Sequence, residues 1–70
     1  MDYELEFKDK DAAWFVHNQI RRVYKVRGID YTKEIYARGN VLRVSEMALN
    51  EARRHIASTG ARVTLRKLVE

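Results

Sequence analysis

The residues best placed for chemistry are cations at two chain corners, Lys8-Asp9-Lys10-Asp11 and Arg38-Gly39-Asn40. A loop that leaves a strand and enters the first turn of a helix offers free backbone amides and the positive end of the helix dipole. A neighbouring Lys or Arg adds a charge-assisted bond, and together these bind phosphate. Arg43, one turn beyond the second corner, extends such a patch. The other reactive side chains point nowhere comparable. Glu4 and Glu6 share one strand face, as a pair of catalytic carboxylates would, but Arg62 and Arg66 on the last strand supply partners, so they read as sheet-surface charge pairs. His17 and His55 have no second ligand at metal spacing, and without cysteine there is neither thiolate site nor disulfide. No nucleotide-binding glycine loop and no nucleophile with base and orienting acid is present. The expectation is a protein that is not an enzyme, with no metal, no cofactor and no small-molecule substrate.

Three large side chains stand outside the expected core. Trp14 lies on the outer side of the first helix with Asn18, Arg21 and Lys25. It stacks on a base, packs against a partner, or covers apolar surface with a cation over its ring, and partner packing is the favoured reading. Tyr36 points opposite to Ile35 onto the uncovered sheet face, as a stacking platform or a subunit contact, with the contact favoured. Met47 is on the outer side of the second helix with Arg43, Asn50 and Arg54. Arg21-Arg22 and Arg53-Arg54 read as solvated helix faces, since adjacent residues point about 100° apart.

These groups must be positioned by a chain of 70 residues, one domain spanning 1–70. At this size a single core supplies only about 3–5 kcal/mol, which makes a partner subunit an expectation. The formal charge is +4, unevenly spread: residues 1–11 carry five acids against two bases, or −3, and the remainder +7. A basic body suits a polyanionic partner. No apolar run approaches the roughly 18–20 residues of a membrane span, and the acidic start is unlike a secretory signal. A soluble, cytoplasmic protein without membrane contact is expected, nucleoid-associated if it binds DNA.

Alternation predicts a strand over Tyr3–Phe7, with Tyr3, Leu5 and Phe7 on one face. Asp9 or Asp11 caps a helix beginning close to Ala12 and running to Arg27, with Ala12, Ala13, Phe15, Val16, Ile20, Val23, Tyr24 and Val26 inward and Gly28 closing it. Tyr31–Arg38 is rich in β-formers and reads as a second strand. Asn40 caps a second helix from Val41 to about Ser58, buried along Val41, Leu42, Val44, Ser45, Ala48, Leu49, Ala52 and Ile56 and closed by Gly60. Ala61–Val69 is the third strand. Helical connections between successive strands predict parallel pairing, with both helices on one side of a small sheet: a two-layer α+β sandwich of β-α-β-α-β order.

Glu34-Ile35-Tyr36-Ala37-Arg38-Gly39, followed by Asn40-Val41-Leu42 and the apolar spacing of the next helix, resembles the strand-to-helix corner of the archaeal Alba chromatin proteins. That resemblance implies the same element order, a homodimer, and binding of double-stranded DNA or structured RNA without sequence preference. Arg38 would contact phosphate, and Lys10 with Lys8 would match the family's lysine-rich loop. Here an acid stands beside each lysine, and the chain stops before the family's fourth strand and hairpin arm. The expected function is sequence-nonspecific nucleic-acid binding in an architectural or protective role, through Lys8, Lys10, Arg38, Gly39, Asn40 and Arg43. The alternative is a small basic interaction module docking through Trp14 and Met47.

Overall fold

The computed structural model describes residues 2–68. Its element order is β1 (Tyr3–Phe7), α1 (Lys10–Arg27), a 3-10 turn (Tyr31–Lys33), β2 (Ile35–Arg38), β3 (Val41–Val44), α2 (Glu46–Thr59) and β4 (Val63–Lys67). The strands form one sheet in the order β2-β3-β1-β4, with every neighbouring pair antiparallel. This is a split β-α-β arrangement, in which each helix connects strands separated by a third. The expected two-layer α+β sandwich with both helices on one sheet face is what the chain adopts.

The expected element order and parallel pairing are corrected at one place. Gly39-Asn40 is not a strand-to-helix corner but the two-residue turn of a hairpin, with Arg38 opposite Val41 and Ile35 opposite Val44. Gly39 has φ +60° and Asn40 has no positive φ, the pattern of a type II′ turn with glycine at its first central position. The chain therefore reverses, and Val41–Val44 becomes a strand with Leu42 and Val44 inward and Arg43 outward. Among the described residues the sheet has four strands rather than three, and no parallel pair. Helix α2 starts after Ser45, whose side chain accepts the Ala48 amide at 3.1 Å. Asn40 is thus not a helix cap, and Arg43 is not on a helix.

Smaller differences follow from local hydrogen bonding. Asp9 is the cap of α1, accepting the Ala12 amide at 2.8 Å, so the helix starts at Lys10. Asp30 accepts both the Thr32 amide (3.1 Å) and its hydroxyl (2.6 Å), winding Tyr31–Lys33 into a 3-10 turn and delaying β2 to Ile35. Those bonds hold the Asp30 carboxyl below its ordinary pKa. The third expected strand is β4, ending at Lys67, and Val69 lies outside the described residues.

The core lies between sheet and helices: Leu5 and Phe7 from β1, Ile35 and Ala37 from β2, Leu42 and Val44 from β3, Ala13, Val16, Ile20 and Tyr24 from α1, and Ala48, Leu49 and Ala52 from α2. The α1 contribution is narrower than expected. Its buried positions repeat every three or four residues, whereas Phe15 (47% exposed) and Val26 (85%) fall off that stripe. Fully buried Ala48 and Ala52 leave room for α1 to approach α2 closely.

Candidate nucleic-acid interface

The antiparallel order sets three connections at the same end of the sheet: the Lys8-Asp9 loop after β1, the Gly39-Asn40 turn, and the Gly60–Arg62 segment before β4. Two hydrogen bonds lock the first two together. The Phe7 amide donates to the Asn40 carbonyl at 2.8 Å, and the Asn40 side-chain amide donates back to the Phe7 carbonyl at 2.9 Å. Lys8, Arg38, Gly39 and Asn40, expected at one edge, do meet there, although a hairpin brings them together and not a parallel sheet. Lys10 follows in the first turn of α1. Arg62 joins the same end beside Lys8, Glu6 and Thr64.

From this end the outer sheet face continues in two cross-strand rows. Tyr36, Arg43, Glu4 and Arg66 form one, and Arg38, Val41, Glu6 and Thr64 the next. The face is not covered by either helix. Glu4, Tyr36, Arg38, Gly39, Val41 and Arg43 line an open groove of about 390 Å³ on it. Tyr36 is 52% exposed there, directly opposite Arg43.

Charges on the face are partly compensated. Arg66 donates to Glu6 at 2.9 Å and lies 3.6 Å from Glu4, while Arg43 approaches Glu4 from the other side at 3.4 Å. The expected charge pairing of Glu4 and Glu6 therefore holds with Arg66, but Arg43 takes the place expected for Arg62. Lys8, Lys10, Arg38 and Arg62 form no ion pair among the described residues, so four cations at this end are available to an anion.

Trp14 and Met47 do not share a face. Trp14, 43% exposed, packs edge-on against His17 with ring centroids 4.9 Å apart. His17 in turn meets Tyr31 at 6.1 Å. Arg21, expected near Trp14, stacks over Tyr31 at 5.3 Å. His17 thus belongs to an aromatic cluster, whose Trp14–His17 contact follows from their spacing on one helix face. Met47 sits near the other end of the helix pair, lining a groove with Tyr24, Arg27, Ile29, Asn50, Glu51 and Arg54. Trp14 and Tyr24 are separated by about 15 Å of helix.

Arg62 and Arg66, expected only as charge partners of Glu4 and Glu6, also belong to this surface: the alternation of β4 sets Arg66 on the outer face, and Arg62, just before the strand, lies beside Lys8. No family model, curated protein or solved structure matches the chain.

Proposed function

We propose that this protein binds nucleic acid with little sequence preference, through the open sheet face and the basic end that continues it. The observation that carries this reading is the Phe7–Asn40 tie. It holds Lys8 and Arg38-Gly39-Asn40 in one rigid group, next to the groove in which Tyr36 lies opposite Arg43. A backbone crossing this end meets Lys8, Arg38 and Arg62, and an unpaired base entering the groove stacks on the Tyr36 ring with a guanidinium alongside. The Alba-type resemblance rests on a strand-to-helix corner that is a hairpin here. Phosphate contacts by Arg38 and the Lys8–Lys10 segment follow instead from their common place at one end of the sheet and their lack of ion pairs among the described residues. Arg43 has a different role, flanking the stacked base from β3. Contacts to phosphate and to an aromatic face read no base edge, which accounts for weak sequence preference and marked salt dependence.

The test is titration of random-sequence single-stranded and duplex DNA and RNA at several salt concentrations, comparing wild type with Arg38→Glu and Tyr36→Ala. Wild-type affinity should fall steeply with salt. Arg38→Glu should lower it about tenfold or more and flatten the salt slope by roughly one phosphate contact. Tyr36→Ala should cost about 1–3 kcal/mol on single strands and leave the slope unchanged. Absence of wild-type binding at moderate salt sinks the proposal.

A further inference from the structure

Strand β4 is an edge strand. It pairs with β1 on one side, and no described strand pairs with it on the other. A free edge displays a row of backbone donors and acceptors, normally protected by covering segments or by charge. The helix layer packs chiefly on β1, β2 and β3, so the inner face of β4 projects beyond it. Leu65, opposite buried Leu5 and therefore on the helix side, remains 43% exposed. Beside the start of the strand, Ala12, Phe15, Val16, Thr59 and Ala61 line an apolar hollow of about 270 Å³. The outer positions Arg62 and Arg66 and the inner Lys67 are all cationic.

The side of β4 that is already paired shows what chemistry this strand accepts. Its neighbour β1 reads Tyr3-Glu4-Leu5-Glu6-Phe7, alternating apolar and acidic residues. In register, Glu4 lies opposite Arg66, Leu5 opposite Leu65, Glu6 opposite Thr64 and Phe7 opposite Val63. Side chains of β4 stand on the two faces of the sheet and are reachable from either edge, so the free edge presents the same alternation of apolar and basic groups. A second copy of β4 paired antiparallel about Thr64 would instead set Arg62 opposite Arg66, like charge against like.

We propose that the free edge of β4 captures an extended acidic segment of a partner protein as a fifth, antiparallel strand. Its apolar residues cover Leu65 and the Phe15 hollow, and its carboxylates face Arg62 and Arg66. Backbone hydrogen bonds supply affinity, and the apolar-acidic alternation supplies selectivity. Tyr36 lies across β1 and β3 from this edge, and Arg62 is the one cation shared with the basic end, so an occupied edge competes for Arg62 and leaves Lys8, Arg38 and the Tyr36 groove free.

The experiment is a titration of labelled protein with a synthetic peptide copying Asp2–Lys8, followed by amide chemical shifts. A control peptide carries lysine at both glutamate positions. The acidic peptide should bind saturably and shift the Val63–Lys67 amides. The control should bind about tenfold more weakly or worse, and Leu65→Lys and Arg62→Glu should each weaken acidic-peptide binding while circular dichroism stays unchanged. Absence of binding at millimolar peptide or equal binding of the two peptides overturns the proposal. So do shifts spreading to Val41–Val44, which mean that the peptide has displaced β1, and a protein dimer that already occupies the edge.

Discussion

Asn40 and Phe7, 33 positions apart, are joined by a reciprocal pair of hydrogen bonds, with the backbone amide of Phe7 and the side-chain amide of Asn40 each donating to the other residue's carbonyl. The hairpin turn is thereby fastened to the strand beside it. Asn40 supplies from its side chain a bond that the backbone ladder no longer provides once the chain turns away.

Asn40→Ala removes the bond to the partly buried Phe7 carbonyl and keeps the backbone one. It should destabilise the protein by about 1–2 kcal/mol, read from the midpoint of urea unfolding. Because the variant loosens Lys8 from Arg38 without removing either charge, nucleic-acid affinity should fall while the salt slope is retained.

Ser45 does two jobs at the start of α2. Its hydroxyl accepts the Ala48 amide and donates to the Glu34 carboxylate, while its own amide donates to the Glu34 carbonyl at 2.8 Å. Ser45→Ala should cost about 1–2 kcal/mol, lowering Tm by about 4–8 °C per kcal/mol in a domain of this size. Ser45→Asp keeps a capping acceptor but sets a second carboxylate against Glu34. It should be no better than alanine, whereas Ser45→Thr should recover most of the loss.

Tyr24 is buried to 2% exposure, and its hydroxyl has no hydrogen-bond partner among the described residues. Burial chiefly raises its pKa above 10.0, the Glu34 and Glu51 charges raise it further, and Arg27 opposes them. The unfolded chain therefore loses this proton first. The Tyr24 contribution to stability is complete below pH 10 and is lost as pH rises through the elevated folded value. Tyr24→Phe should leave neutral-pH stability within about 1 kcal/mol of wild type or improve it. Thermal melts between pH 9 and 11 should show a shallower alkaline decline in the variant.

Much of this architecture is legible in the sequence. The alternation of Tyr3–Phe7 and Val63–Lys67 and the glycine closures at Gly28 and Gly60 have the form they suggest, whereas the wheel of α1 holds for Ala13, Val16, Ile20 and Tyr24 and is too wide at Phe15 and Val26. Val41–Val44 misleads because four apolar or long side chains upstream of a helix extend its buried stripe as readily as they alternate on a strand. The deciding signal is short: Gly39-Asn40 between two runs of β-formers, then Ser45-Glu46 as a helix start. Lys8 and Arg38 are correctly grouped because either topology sets both corners at one end. The row from Tyr36 through Arg43 and Glu4 to Arg66 depends on strand register, which follows only from the Gly39-Asn40 hairpin and is not contained in any one segment.

The place of β1 in the middle of the sheet bears on how the chain acquires its structure. Its two neighbours come from much later in the sequence, so that Glu6 waits for Arg66, 60 positions on. The β2-β3 hairpin and α1 can form from local contacts as soon as they are synthesised, whereas β1, made before them, has no partner in this sheet until β3 follows and is not enclosed until β4 does. The Glu4 and Glu6 carboxylates set like charges against each other in any pairing of that strand with its own copy, a repulsion that ends once Arg43 and Arg66 pair with them.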